Sequence, residues 1–262
     1  MPELPDVEFI ARMLRRRASG RRIGRVEILT PSTIRSPSAH AFRRRVRGRM
    51  IGRVRRRGKY LFIDLDRGLT VVVHLRMTGG FVLAAPGTPT SPHTRVVFSL
   101  GDEELRFTDQ RRFGHMDLLS TARVPSLPGI LRLGVEPMGR GFTLARFRAL
   151  LRGRRGALKA LLLRQDLVVG IGNLYADEIL FQARLRPARP VVSLGQAEVG
   201  RLHRVIRRVL GRGIGVLTRD RGSIGDLLDA RAPGGACPRC GRELAVARTA
   251  GRGTYYCRTC QR

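Results

Sequence analysis

Lysine is nearly missing from this chain of 262 residues: Lys59 and Lys159 are the two it has, and the other 49 basic residues are arginine. Where compositional drift has turned almost every surface cation into arginine, a surviving lysine marks a place a guanidinium does not suit. An amine sheds its proton nearer neutrality and fits as a compact point charge. Both lysines are candidate functional residues on that argument, against chance survival. Acidic residues are scarce too, 20 against 51 basic, leaving a net charge of +31. Such an excess favours a polyanionic partner, nucleic acid first. The competing reading is a codon bias that inflates arginine. A membrane surface fits less well, because the basic residues are spread along the chain rather than set on one amphipathic helix. Long apolar runs are absent: nothing approaches the roughly 18 residues of a membrane span. The start, Met1-Pro2-Glu3-Leu4-Pro5, lacks a basic region leading into an apolar one. The expectation is a cytoplasmic protein, neither exported nor membrane-spanning.

Periodicity divides the chain. Pro5 and Asp6 open a helical stripe of Val7, Phe9, Ile10, Met13 and Leu14 that runs to about Arg17. From Arg22 to Leu119 short β-type runs follow, among them Val26 to Leu29, Tyr60 to Leu65, Leu69 to His74, Arg95 to Leu100 and Leu105 to Thr108, with a helical piece near Ala39 to Val46. That series predicts a β-sandwich or flattened barrel. Pro125 to Pro128 reads as a linker. Helical spacing returns over Thr143 to Leu151, Ala157 to Leu163, Tyr175 to Gln182 and Leu194 to Leu210, the last opened by a Ser193–Gln196 capping box. The fold class is α+β, with an N-terminal helix and β-sandwich domain over residues 1–124, a helical domain over 125–232 and a small module over 233–262. No repeat or low-complexity tract stands out beyond the arginine bias.

Cysteine is confined to that last module, as Cys237-Pro238-Arg239-Cys240 and Cys257-Arg258-Thr259-Cys260. Two such pairs have the spacing of a zinc ribbon, in which each knuckle gives two thiolates to one tetrahedral ion. Two disulfides are the alternative, disfavoured in a cytosolic chain. Four protein ligands leave no open position, so the single Zn2+ is expected to be structural. It would hold the hairpin between the pairs, with Arg248, Arg252 and Arg258, as a rigid basic finger.

Removal of Met1 would leave Pro2 as the first residue. Its secondary amine has α-amino basicity, about pKa 8, so an appreciable fraction is neutral at physiological pH. Such an amine attacking C1′ of a nucleotide expels the base and gives an iminium ion. That ion acidifies the sugar C2′ proton, and the neighbouring phosphate then leaves by elimination. Glu3 is placed to act as general acid. Pro2-Glu3 alone is a weak signal. The longer opening Pro2-Glu3-Leu4-Pro5-Asp6-Val7-Glu8 closely resembles the start of the formamidopyrimidine-DNA glycosylase and endonuclease VIII family.

The resemblance extends over nearly the whole chain, in order. Gly58-Lys59-Tyr60-Leu61 is similar to the family's β-hairpin segment, which implies that Lys59 contacts backbone phosphate and assists elimination. His74-Leu75-Arg76-Met77-Thr78-Gly79 resembles the segment whose methionine enters the gap left by an extruded base. Asp109-Gln110-Arg111-Arg112-Phe113-Gly114 resembles the next signature, implying that Arg111 pairs with the orphaned base and Phe113 wedges into the opposite strand. His93 resembles a DNA-contacting histidine. Leu158 to Gln165 and Gly170-Ile171-Gly172-Asn173-Leu174-Tyr175-Ala176-Asp177-Glu178 look like a helix, two turns, helix element, in which Lys159 and Asn173 hold phosphates, with Arg154 as a companion. Arg252 in Gly251-Arg252-Gly253-Thr254 resembles the arginine of the second elimination step. Base-excising enzymes must fill the hole that the everted nucleotide leaves, and Met77, Arg111 and Phe113 have the apolar or planar character that requires. Without the motifs, Met77 and Phe113 would read as core residues.

The resemblance implies a bifunctional glycosylase and abasic-site (AP) lyase for oxidised or ring-opened purines. It implies action on double-stranded DNA with a damaged base or abasic site, in a bacterial cytoplasm at the nucleoid, and one cleft acting on one lesion needs only a monomer. It departs from the family between Gly215 and Ala236, where a short polar run from Thr218 to Ser223 and on to Gly235 stands in place of a longer stretch that closes over the everted base. A missing lesion cap is the expectation there. Asp6 also replaces a common glutamate. Two other readings compete: a non-catalytic damaged-DNA-binding paralogue, and a zinc-ribbon RNA or ribosome-associated protein.

Overall fold

Val7, Ala11, Leu14 and Ala18 recur at three- and four-residue steps and are fully buried, which is why the chain opens as a helix, α1 (Leu4–Arg17). The computed structural model describes residues 1–219 and 222–262. They form two compact units, Met1–Pro2 with Asp6–Leu131 and Glu3–Pro5 with Arg132–Arg262.

The first unit continues with β1 (Val26–Ile28), β2 (Ile34–Ser36), α2 (Ala39–Val46), β3 (Ile51–Arg57), β4 (Tyr60–Leu65), β5 (Leu69–His74), β6 (Gly79–Ala84), β7 (Thr94–Ser99), β8 (Glu104–Asp109) and β9 (His115–Ser120). The strands make a four-stranded sheet in the order β1-β7-β8-β6 and a five-stranded sheet in the order β2-β9-β5-β4-β3. Ile63, Val71, Val73 and Met116 of one sheet share a single core with Val96, Phe98, Leu105 and Phe107 of the other, closed by α1. This is the β-sandwich the sequence predicts. The strand β3 carries four arginines and few apolar residues, and holds because it is an edge. Arg55 forks onto Asp64 at 2.9 and 2.8 Å, and Arg56 reaches Glu8 at 2.9 Å. The stretch expected to be a linker is structured instead: residues Thr121–Ser126 form a 3-10 helix, followed by α3 (Pro128–Leu131). Val124 and Ile130 bury into the first unit. A side chain at Gly129 would meet Tyr60 Oη at 2.4 Å.

The second unit contains α4 (Leu144–Leu151), α5 (Leu158–Leu162), α6 (Asn173–Gln182), α7 (Gln196–Arg219), α8 (Asp226–Asp229), β10 (Ala245–Thr249) and β11 (Arg252–Tyr256). The capping box expected at Ser193 does not form: α7 starts after Gly195, which has no side chain to cap with, and only the return bond from the helix is made. Glu198 accepts from the Gly195 N–H at 2.9 Å, while the Ser193 hydroxyl donates to the Pro190 carbonyl. The helix also outruns its predicted end at Leu210, passing through Gly211, Gly213 and Gly215. Gly213 is required by a close approach, since a Cβ there would stand 2.4 Å from Tyr175 Oη. Of the short polar run, Thr218 and Arg219 belong to α7, and Asp220 and Arg221 lie outside the described residues. The α8 turn that follows is pinned at its start by Glu178, which accepts from the N–H groups of Asp226, Leu227 and Leu228 at 3.2, 2.9 and 3.1 Å. Among the described residues no helix is long and apolar enough to cross a membrane.

Candidate nucleic-acid interface and active site

In the first unit the predicted residues sit on loops at strand ends. Gly58 takes φ +56° and, with Lys59, makes the two-residue turn between β3 and β4, so Lys59 stands at a hairpin tip. Met77, half-buried and outside the core, follows Arg76, whose φ is +57°. Phe113 is 52% exposed, an unusual place for phenylalanine. The Arg111 guanidinium lies 4.8 Å from the centre of its ring.

One carboxylate that sequence reasoning did not single out holds these loops in register. Asp109, 1% exposed, accepts from the Gly114 N–H at 2.6 Å, from the Arg111 N–H at 3.2 Å and from the Thr78 hydroxyl. The Thr78 hydroxyl oxygen in turn accepts from the Arg111 N–H at 3.0 Å. The Asp109 N–H donates to the His93 carbonyl at 2.8 Å. The loops carrying Met77, Arg111 and Phe113 are thus tied to the buried Asp109 carboxylate, and the His93 loop to the backbone of the same residue. The signal lay in the motif itself, where Asp109 precedes the two functional positions and Gly114 closes the turn; a Cβ at Gly114 would stand 2.7 Å from the Phe107 ring. Nearby, His74 Nδ1 accepts from the Arg76 N–H at 3.0 Å. Its pKa is pushed down to about 3, by burial first and then by the charges of Arg76, His115, Lys59 and Arg35.

In the second unit the decisive group is Glu3. It is 1% exposed, and its carboxylate accepts from the N–H groups of Gly172, Leu174 and Tyr175 at 2.6, 2.9 and 3.3 Å. It caps α6, the orphan donors of the helix start meeting a negative charge. A Cβ at Gly172 would come within 2.4 Å of Glu3 Cδ, which explains the glycine in the two-turn segment. Leu4 completes the anchor by donating its N–H to the Gly170 carbonyl at 3.0 Å. Sequence reasoning assigned Glu3 to acid catalysis and missed this anchoring.

The phosphate contact expected of Lys159 is corrected by its burial. The side chain is 0% exposed and ion-paired with Asp177 at 2.7 Å. Its ammonium also donates to Thr254 Oγ1 at 2.8 Å and to the Gly253 carbonyl at 3.2 Å. Burial lowers the Lys159 pKa and raises that of Asp177, each opposed by the partner. A compact amine is needed there for packing, not for reaching a backbone. Asn173, the first residue of α6, donates through Nδ2 to the Gly253 carbonyl at 3.0 Å. Arg154 is half-buried, with Nε donating to the Leu150 carbonyl at 2.7 Å. Arg252 is exposed at the start of β11, after a two-residue turn with Ala250 at φ +50° and Gly251 at φ +71°.

The four cysteines Cys237, Cys240, Cys257 and Cys260 present sulfurs that all lie within 4.8 Å of one another. Cys237 and Cys260 are 3.9 Å apart, and Cys240 and Cys257 are 3.6 Å apart. A tetrahedron with Zn–S bonds of about 2.3 Å has edges of about 3.8 Å, so the donors fit zinc. Disulfides need about 2.05 Å. Cys237 and Cys257 also pack with Phe181, Leu227 and Leu244 in a small separate core.

Three family models cover most of the chain. They are described as the formamidopyrimidine-DNA glycosylase N-terminal domain over residues 1–116, the formamidopyrimidine-DNA glycosylase H2TH domain over 133–223, and a zinc finger found in FPG and IleRS over 234–262. The chain belongs to the formamidopyrimidine-DNA glycosylase family. A formamidopyrimidine-DNA glycosylase of Pelotomaculum thermopropionicum is 42% identical over 100% of this chain and 99% of its own. One from Symbiobacterium thermophilum is 45% identical over 100% of this chain and 89% of its own. Among solved structures, the Lactococcus lactis Fpg in complex with DNA containing an abasic site aligns with a TM-score of 0.89 at 32% identity, over 99% of both chains. The same glycosylase in complex with FAPY-dG containing DNA aligns at 0.90 and 33%, again over 99% of both. The family's fold, with its two-turn helical element and terminal zinc finger, is the fold of this chain, and its four cysteines are suited to one structural zinc ion.

Proposed function

We propose that this member of the formamidopyrimidine-DNA glycosylase family is a base-excision repair enzyme that removes oxidised or ring-opened purines from double-stranded DNA and then cleaves the strand as an AP lyase. The observation that carries the reading is the Asp109 network. It spends a buried carboxylate on holding Arg111 and a half-exposed Phe113 in solvent, which core packing does not require. Met77, Arg111 and Phe113 fill the space of the everted nucleotide. His93, Arg154 and Asn173 contact the DNA.

After Met1 is removed, the Pro2 amine attacks C1′ and the C1′–base bond breaks, the base leaving with its electron pair and taking a proton. Glu3 is the neighbouring acid–base group, and by capping α6 it also fixes the residue next to the nucleophile. The resulting iminium gives up a C2′ proton, and the C3′–O bond breaks with phosphate as leaving group. Lys59 assists this elimination, and Arg252 the second one. Cys237, Cys240, Cys257 and Cys260 would hold one zinc ion through four thiolates, and that ion would keep the ribbon folded. One site acting on one lesion needs only a monomer, which in a bacterial cell works at the nucleoid.

Borohydride trapping tests the reading. Processed protein should link covalently to a duplex with an abasic site, and Pro2→Gly should lower the adduct by at least about 100-fold. Full-speed nicking by protein that retains Met1 would sink the amine mechanism. Tight binding to the abasic duplex without any adduct would favour a non-catalytic binder.

A further inference from the structure

Gly253, next to Arg252, has a carbonyl that collects an unusual number of donors. Lys159 Nζ reaches it at 3.2 Å, Asn173 Nδ2 at 3.0 Å and Arg231 Nη2 at 3.2 Å. A second tie runs to Arg252 itself, since Lys159 donates to Thr254 Oγ1 at 2.8 Å and that hydroxyl donates to the Arg252 carbonyl at 3.1 Å. Behind these donors stands one buried carboxylate. Asp177, 0% exposed, pairs with Lys159 at 2.7 Å and with Arg231 Nε at 3.0 Å, and accepts from the Tyr255 N–H at 3.3 Å. Arg231 also lies over the Tyr255 ring, 4.5 Å from its centre. Arg252, by contrast, is exposed, and its guanidinium has no ion pair or hydrogen bond among the described residues.

We propose that Arg231 is a positioning residue for strand cleavage: braced by Asp177 and by the Tyr255 ring, it fixes the start of β11 through the Gly253 carbonyl, so that the free guanidinium of Arg252 projects from a rigid backbone. The physical case is one of entropy. An exposed arginine gains orientation only from its backbone, and a turn of Ala and Gly at the tip of a two-stranded ribbon has little rigidity of its own. A fork that bonds a carboxylate with one nitrogen and a carbonyl with another supplies that rigidity, and lysine does not reproduce it. Arg231 comes from the segment before the first cysteine pair, so a residue outside the ribbon sets the geometry of the ribbon's working end.

This proposal rests on the reading of Arg252 as the residue of the second elimination, and the test separates the two. On a duplex with one abasic site, the ratio of double- to single-elimination product is measured for Arg231→Met, Arg252→Met and the double variant. Arg252→Met is expected to lower the ratio about 10-fold or more, and Arg231→Met about 3- to 10-fold, with the double variant no lower than Arg252→Met alone. Arg231→Lys should fall between wild type and Arg231→Met, and serves in its place if Arg231→Met does not fold. Borohydride adduct at Pro2 and one zinc per chain should persist in the Arg231 variants. An unchanged ratio in Arg252→Met overturns the reading of Arg252, and the proposal with it. A lowered ratio in Arg252→Met with Arg231→Met and Arg231→Lys at the wild-type value overturns the role of Arg231 alone. So does a double variant whose loss is the product of the two single losses, because Arg231 would then act independently of Arg252.

Discussion

Phe113 and His74 show how single side chains here divide between stability and function. Phe113 is 52% exposed, so Phe113→Ala should change stability by no more than about 0.5 kcal/mol. If the ring fills the stack, the same change should lower excision from a lesion duplex by about 10-fold or more. Equal excision by the variant at matched melting temperature would remove Phe113 from the interface. His74 acts in the opposite sense. Its folded pKa, about 3, lies below the unfolded value of about 6.5. Between those values the unfolded chain binds more protons, so the stability His74 contributes is complete above about pH 6.5 and falls as pH drops toward 3. His115, lowered chiefly by burial, adds to the same trend. Protonation would also remove the acceptor that holds the Arg76 N–H. Melting curves from pH 7 to pH 5 should therefore be flatter for His74→Gln than for the parent. A parallel decline in both would deny His74 that role.

Helix α7 contains a controlled comparison at the level of one element. Gly213 and Gly215 are both interior glycines, and intrinsic propensity favours alanine at each by about 1 kcal/mol. A Cβ at Gly215 meets nothing within 4 Å, whereas one at Gly213 would stand 2.4 Å from Tyr175 Oη. Gly215→Ala should raise stability by about 0.5–1 kcal/mol and Gly213→Ala should lower it by about 1–3 kcal/mol, read from thermal melts of the two variants. Stabilisation by both would mean that Tyr175 yields freely. The same contrast explains why the sequence pattern ends this helix early: the glycines look like a stop signal, yet the helix runs through them, and Gly213 is clearance for a neighbouring ring. The strand β3 misleads in the other direction, since its arginines hide a strand that exists because Asp64 and Glu8 pair with them.

The whole molecule carries a charge of +31. Affinity for a lesion duplex should therefore fall with a log-log salt slope of about −0.9 per phosphate neutralised. A nearly flat response across the same salt range would count against a phosphate-binding surface. Metal removal works at this scale too. The ribbon has only a small core around Cys237, Cys257, Leu244, Phe181 and Leu227, too few residues to hold without the ion. Chelation should release one zinc per chain and lower the melting temperature. It should also depress the second elimination, since the ribbon supplies Gly253 and Thr254 to the buried Lys159–Asp177 pair. An unchanged melt and product ratio in the metal-free protein would show the ribbon standing unaided.

The sequence by itself determined what depends on local spacing. The cysteine pairs fixed the ribbon, short β-type runs between turn residues marked the strands of the sandwich, and the ordered motifs singled out Pro2, Met77, Arg111, Phe113, Asn173 and Arg252. Only the tertiary structure decided what depends on partners far along the chain. It turned Lys159 from a surface cation into a buried one, made Glu3 the cap of a helix some 170 residues away, and gathered Asp109, Asp177 and Arg231 into roles their neighbours in sequence do not suggest. A motif records which residue types a task needs. The burial and pairing that set the charge and orientation of each are properties of packing, which no local window contains.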